Sequence, residues 1–244
     1  MNQKQLIDLV LSQADALPDQ EVTRFTYGAH IVGVESRTMG LATWACGKHP
    51  ISFDQLPALD GPCSAKELAQ LLHDEDPLKS SLGMAALNSL LPDPSPDDVV
   101  DVNAADLILE LGKEKVVAVI GHFPFVERMK GRFKELIVFE KQPQSGDLDA
   151  GLIPERLPSA DIVAVTATTF SNGSLAGILS NSSESATKLI IGPSTPVSPT
   201  LFELGFDYVA GIVVDDREKV RQGIEEGCSF KQIKGARHII LKRG

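Results

Sequence analysis

From residue 103 onward, short β-branched runs alternate with helical segments, and this alternation constrains the fold more than any other feature of the chain. The runs are KVVAVIG (115–121), ELIVFE (135–140), DIVAVTAT (161–168), KLIIGP (188–193) and DYVAGIVV (207–214). Between most of them stand FVERMKGRF, SLAGILSN, PTLFELG and REKVRQGIEEG. Strands that are apolar on both sides need both faces covered, and helices that carry the chain back between parallel strands supply that cover. The pattern predicts an α/β fold: a Rossmann-like, doubly wound parallel sheet, with HIILK (238–242) as a last edge strand.

The first ninety or so residues read differently. Leu6, Leu9, Val10 and Leu17 recur about one helical turn apart and predict an amphipathic helix. EVTRFTYGAH, IVGVES and TMGLATWA are rich in β-formers and separated by short breaks, as in an antiparallel meander. In SAKELAQLLH, Ser64 followed by Glu67 is a capping-box signal. SSLGMAALNSLL (80–91) predicts a further helix, and its Gly83, Ala85 and Ala86 leave room for another backbone to come close. This is the grammar of a smaller α+β unit. LPDPSPDD (91–98) has three prolines and three aspartates in eight residues, which no helix can run through. It marks the expected boundary between domains at 1–95 and 96–244.

Charge removes several function classes. With 23 Lys plus Arg against 33 Asp plus Glu, the net charge is −10. Phosphate backbones and anionic lipid surfaces are both gripped by Lys and Arg, so neither nucleic acid nor membrane is an expected partner. Aromatic residues are 5%, thin for base-stacking platforms. Cys46, Cys63 and Cys228 are sparse and odd in number, which is no disulfide framework and fits a reducing, cytoplasmic setting. No apolar run approaches the roughly 18 residues of a membrane span. Asp8 and Asp15 interrupt the first segment, unlike the apolar centre of a signal peptide.

In an open parallel sheet, ligands bind beyond the carboxyl ends of the strands, and this nominates four places. GHFPFVER (121–128) has Gly121 closing a strand and Pro124 where a helix is expected to begin, a start that can hold an anion. It is not GxGxxG: Phe123 and Pro124 stand where a dinucleotide needs bare backbone, and the loop reads equally as a packed turn. His122 suits a ligand, a proton acceptor or a structural hydrogen bond. Glu140 lies 19 residues after Gly121, where Rossmann proteins grip ribose hydroxyls, though a strand-end carboxylate is often only solvated. TATTFSNGS (166–174) offers hydroxyls and Asn–Gly, suited to a polar ligand or to helix capping by Ser171 or Asn172. GPSTPVSP (192–199), with three prolines and three hydroxyls, reads as a stiff ligand wall or a stiff turn.

Metal and nucleophile signatures are missing from the sequence: no CxxC, no HExxH and no GxSxG. Cys46 and His49 form at most half a metal site, while Cys63, Cys228 and His73 read as packing or surface residues. These residues name no reaction, so whether the chain is an enzyme stays open.

Five segments taken in order carry a resemblance: SSLGMAALNSLL, VVAVIGHFPFVERM, IVFEKQPQSGDL, TATTFSNGSL and IIGPSTPVSPTLFELG. Together they resemble the putative heavy-metal chelation family, which pairs a DUF4213-type N-terminal domain with a DUF364-type C-terminal domain. The likeness spans nearly the whole chain and is strongest from 80 to 212. It implies an enolase N-terminal-like domain, a Rossmann-like domain and a site in the cleft between them. Carried over by motif, that cleft would involve Gly121, His122, Phe123, Pro124 and Glu140. It would add Thr168, Thr169, Asn172 and Gly173, then Gly192, Pro193, Ser194, Thr195 and Pro196, with Asn88 facing the same region. His122 and Glu140 would be the ligand or proton-accepting groups, and a divalent transition metal the implied cofactor.

Three readings follow. The first is metal chelation, or handling of a metal-bearing small molecule, in the cleft. The second is a Rossmann-like module for a nucleotide or adenosyl ligand without metal chemistry. The third is a structural or assembly protein, whose small-residue helix face suits a second copy of the chain as well as its own interior. Loops 121–124, 166–174 and 192–199 carry no acid, lysine or arginine, so the excess negative charge lies elsewhere.

Overall fold

The structure is a computed structural model in which residues 1–45, 56, 61–100, 102–121 and 123–244 are described. It opens with α1 (Gln3–Asp15), whose first turn is closed by a reciprocal Asn2–Gln5 cap. Such a cap satisfies two of the donors that every helix start leaves open. Leu17 lies beyond the helix, so the sequence pattern overran it by one half turn. The meander follows as β1 (Arg24–Tyr27), β2 (Ile31–Glu35) and β3 (Met39–Thr43), paired antiparallel in that order. Then come α2 (Ala65–Ala69), which runs into a 3₁₀ turn, and α3 (Pro77–Leu90). Ser64 caps α2 by accepting the Glu67 N–H at 3.1 Å, and its own hydroxyl donates to Asp19 at 2.6 Å.

Glycines set how closely this unit packs. A Cβ on Gly40 of β3 would lie 2.1 Å from the Ala85 carbonyl oxygen and 2.2 Å from the Ser89 nitrogen of α3. A Cβ on Gly83 would lie 2.3 Å from the Leu72 nitrogen. The small-residue face of α3 is therefore filled inside the chain, against β3 on one side and the turn at 70–73 on the other.

The second part contains α4 (Ala104–Leu111), β4 (Val116–Ile120), α5 (Val126–Met129), β5 (Glu135–Glu140), β6 (Leu148–Asp149) and α6 (Ile153–Arg156). It continues with β7 (Ile162–Thr166), α7 (Thr168–Ser171), α8 (Leu175–Asn181), β8 (Thr187–Ile191) and α9 (Thr200–Glu203). It ends with β9 (Tyr208–Val214), α10 (Arg217–Glu225) and β10 (Ala236–Lys242). The strands form one seven-stranded sheet in the order β10-β9-β8-β7-β4-β5-β6, parallel except for the antiparallel edge β10. All five residues of β4 are buried, as a central strand covered on both faces requires.

The two sheets share a core. One buried apolar cluster runs from Leu6 and Val10 of α1 through Leu82 and Leu87 of α3 to Phe139, Phe170 and Phe206 of the larger part. Each such side chain contributes roughly 1.5–3 kcal/mol relative to leaving it in water. A second contact sets Ile31, Met39 and Leu41 of the meander against Val220 and Ile224 of α10. The segment after Leu91 crosses to the far edge, where Val100 donates to the Ile240 carbonyl at 2.8 Å. Among the described residues, no helix is long and apolar enough to cross a membrane.

Candidate functional site

Strand order selects the crevice. From β4 the chain winds outward through β5 and β6, then returns to lay β7 against the other side of β4. The loops leaving β4 and β7 thus part in opposite directions, opening the gap in which doubly wound sheets hold ligands. Gly121 stands at this point with φ +99°, and its N–H donates to the Phe139 carbonyl at 2.8 Å. A Cβ there would lie 2.9 Å from Thr166 Cγ2, in a backbone region that side chains avoid. Glycine lets the two strand ends meet.

The loop after Gly121 differs from its sequence reading. Helix α5 begins at Val126, after Pro124, and is four residues long with no side-chain cap. One turn carries too little aligned dipole to hold an anion, so the expected helix-start site is withdrawn. Phe123 stacks on Phe125 at 4.9 Å with planes 7° apart, and both rings pack against the core under β4. Pro124 is exposed. His122 lies outside the described residues, as do Cys46 and His49.

Beside Gly121, β5 ends in Glu140, half-buried, whose Oε1 accepts the Lys141 N–H at 2.7 Å. Lys141 escaped the sequence reading and is the cation of this rim. Its Nζ reaches the Asn172 carbonyl oxygen at 3.4 Å, joining the β5 end to the loop after β7. Partial desolvation lowers the lysine's pKa, and Glu140 pulls it the other way. No local pattern marks a lysine that meets a carbonyl 31 residues away.

Across the crevice, the Thr166 and Thr168 hydroxyls are 3.0 Å apart. The Thr169 hydroxyl, fully buried, donates to the Thr166 carbonyl at 2.6 Å and serves the turn. Asn172 accepts from the Ser174 hydroxyl at 2.6 Å and the Ser174 N–H at 3.2 Å, so its side chain holds the turn into α8. Gly173 takes φ +74° at the exposed tip. Thr168 is half-buried, with its hydroxyl on that of Thr166 at the end of β7, one strand away from the end of β5.

Asn88 and the 192–196 loop gather elsewhere, along the seam with the smaller sheet. Gly192, at φ +126°, donates to the Ala210 carbonyl at 3.1 Å, and Thr195 N–H folds back to the Gly192 carbonyl at 3.0 Å. The Ser194 hydroxyl accepts the Thr43 N–H at 2.8 Å, fastening the end of β3 to the larger sheet. Ser194, Thr195 and Pro196 are buried. Asn88 donates from Nδ2 to the Leu41 carbonyl at 2.9 Å. Asn88 Oδ1 and Thr195 Oγ1 are buried with no partner among the described residues. Both residues, with Pro193, line a cavity of about 30 Å³, enough for one water molecule. The expected wall is thus largely a fastening between the sheets.

Among the described residues, no three His, Cys, Asp or Glu side chains stand close enough to hold a metal ion. Burial pushes the Cys63 thiol up, with Glu67 and Asp19 adding to it, so it is a poor source of thiolate. His73 sits 3.1 Å from Asp8, pinning α1 to the turn after α2.

The sequence matches two family models, each described as putative heavy-metal chelation: DUF4213 over residues 8–91 and DUF364 over residues 103–242. The second covers more than half of the chain. The chain belongs to the DUF364 family. A relative in Methanocaldococcus jannaschii, the uncharacterized protein MJ0500, is 27% identical over 177 residues, covering 70% of this chain and 68% of that protein. A DUF364 protein of unknown function from Desulfitobacterium hafniense has a crystal structure that matches with a TM-score of 0.84 at 22% identity. The match covers 99% of this chain and 98% of that one. A second DUF364 crystal structure, from Pyrococcus horikoshii, matches with a TM-score of 0.82 at 21% identity, over 98% and 100% of the two chains. At these identities the likeness shows the fold: a mostly parallel seven-stranded sheet joined to a small antiparallel one.

Proposed function

We propose that this DUF364 protein binds a small polar, metal-bearing molecule at the β4–β7 switch point. The convergence of Gly121, Glu140, Lys141 and the Thr166–Thr168 hydroxyls from three neighbouring strand ends carries the reading. The described donors do not make a three-ligand cage for a bare ion, so the metal would arrive already held by its small ligand. The chain's part is then recognition. Glu140 and the Thr168 hydroxyl accept or donate hydrogen bonds to the ligand, Lys141 meets its negative group, and Gly121 lets it approach the backbone. No bond-making step is derived.

Native mass spectrometry and elemental analysis of full-length protein purified without oxygen test this. The expected result is a metal-bearing adduct on the wild type that Glu140→Gln and Thr168→Ala lose and Thr195→Val, at the seam, keeps. Equal metal content in wild type and Glu140→Gln would overturn it.

A nucleotide or adenosyl ligand is the second reading. It is favoured by the strand order, which repeats the Rossmann arrangement, and by Glu140 at the end of the second parallel strand. The stacked Phe123–Phe125 pair, where bare backbone is wanted, speaks against it. Millimolar nucleotides raising the melting temperature of wild type and not of Glu140→Gln would favour it over the first.

A further inference from the structure

The first helix of the smaller unit reaches the rim of the switch point. Gln3, which opens α1, donates from Nε2 to the Phe170 carbonyl at 2.9 Å and accepts the Ala176 N–H on Oε1 at 3.0 Å. These backbone groups lie 167 and 173 residues away along the chain. They flank the turn at 172–174, one near the end of α7 and one in the first turn of α8. A helix start leaves its first N–H groups without partners, and no side chain at Ser174 caps α8. Gln3 supplies the acceptor that the Ala176 N–H needs. A carboxamide has one donor edge and one acceptor edge, so it can hold a carbonyl and an N–H together; a carboxylate or an ammonium can hold only one of them. The base of this clamp is firm: the Asn2–Gln5 cap closes the first turn of α1, and Leu6 is buried in the shared core.

We infer that Gln3 is a positioning residue for the switch point: by clamping α7 to α8 it fixes the turn whose Asn172 carbonyl receives the Lys141 ammonium across the crevice. This role rests on the reading of that crevice as a binding site. It adds that the smaller unit, through α1, sets the shape of the rim. Gln3 touches no ligand itself; it acts through the turn and through Lys141.

Titration of Lys141 by NMR in the full-length, ligand-free protein, together with native mass spectrometry of the co-purifying adduct, tests it. Desolvation holds the Lys141 pKa below 10.5, and Glu140 pulls it upward. Gln3→Ala frees the turn and readmits water to the ammonium, so its titration is expected to move up toward 10.5 and the adduct to be lost. Gln5→Ala removes half of the α1 cap and leaves both clamp bonds, so it is expected to change neither. A wild-type Lys141 titration in Gln3→Ala overturns the role, and so does an adduct that Gln3→Ala keeps while Glu140→Gln loses it. An equal effect of Gln5→Ala also overturns it, because the firmness of α1 alone would then be at work. A wild type without any adduct defeats the reading of the crevice and leaves the Lys141 titration to decide the clamp. If Gln3→Ala fails to fold, Gln3→Met keeps the length of the side chain without its hydrogen bonds; the same upward shift is expected, and a wild-type titration overturns the role.

Discussion

The loops after β5 and β7 and the loop after β8 leave the same edge of one sheet, yet they do different work. At the first two, polar groups face the crevice: Glu140 is half-buried, Lys141 spans to Asn172, and Thr168 keeps a hydroxyl at the rim. At the third, Ser194, Thr195 and Pro196 are covered, and Ser194 is bonded to β3 of the smaller sheet. A loop rich in Pro, Ser and Thr serves a ligand when its donors face an opening, and serves the fold when they face another backbone. Composition is blind to that difference; neighbours decide it.

One substitution made on both sides separates the two regimes most sharply. Gly40→Ala drives a methyl into the backbone of α3, which carries Asn88 at the seam. It should cost about 3 kcal/mol or more, because neither the Ala85 carbonyl nor the Ser89 nitrogen can swing aside. Gly173→Ala meets nothing within 4 Å and is penalised only by its φ of +74°. Its cost should be about 1 kcal/mol. Chemical denaturation compares them, and equal losses would mean that the seam is looser than its distances indicate.

The hydroxyls give the next contrast. Ser194→Ala strands the Thr43 N–H inside the seam and should lower stability by about 1–3 kcal/mol, with bound ligand kept in the protein that folds. Thr168→Ala should do the reverse: within about 1 kcal/mol of wild type in stability, and depleted in the co-purifying adduct. If Thr168→Ala keeps its adduct while Ser194→Ala sheds it, the roles assigned to the two loops exchange. Thr195→Val should fall close to neutral, within about 1 kcal/mol, since its hydroxyl has no partner to lose among the described residues. A larger loss would show that a well-held water fills the small cavity beside Asn88.

What the residues disclosed before the structure follows the same division. The parallel strands were legible because β-branched runs such as ELIVFE have few other uses, and β5 spans that run from end to end. The meander was legible from its alternating breaks. Helix α4 was within reach and unread: Asp106 and Glu110, four apart, mark a polar face opposite buried Ala105 and Ile108. The two-residue strand β6 has no local signal at all, since its pairing with β5 alone defines it. The site was legible as loops and not as contacts. Thr43 meets Ser194 across 151 residues, a neighbour that no spacing rule supplies.

The smallest expected effect tests whether Lys141 belongs to the crevice or to its frame. Desolvation holds its pKa below the ordinary lysine value of 10.5. Folding therefore disfavours the protonated form, a cost present in full below the folded pKa and vanishing as pH climbs toward 10.5. Lys141→Met, which cannot ionise, should be slightly more stable than wild type at neutral pH, with the margin fading in alkali. The bond to the Asn172 carbonyl works against that margin, but at 3.4 Å it is long. Denaturation of both proteins at neutral and alkaline pH reads the difference. A variant less stable at neutral pH would make Lys141 a strut between β5 and the loop after β7. A variant at least as stable that has lost its adduct would make it a cation kept at the rim for the ligand, against the grain of the fold.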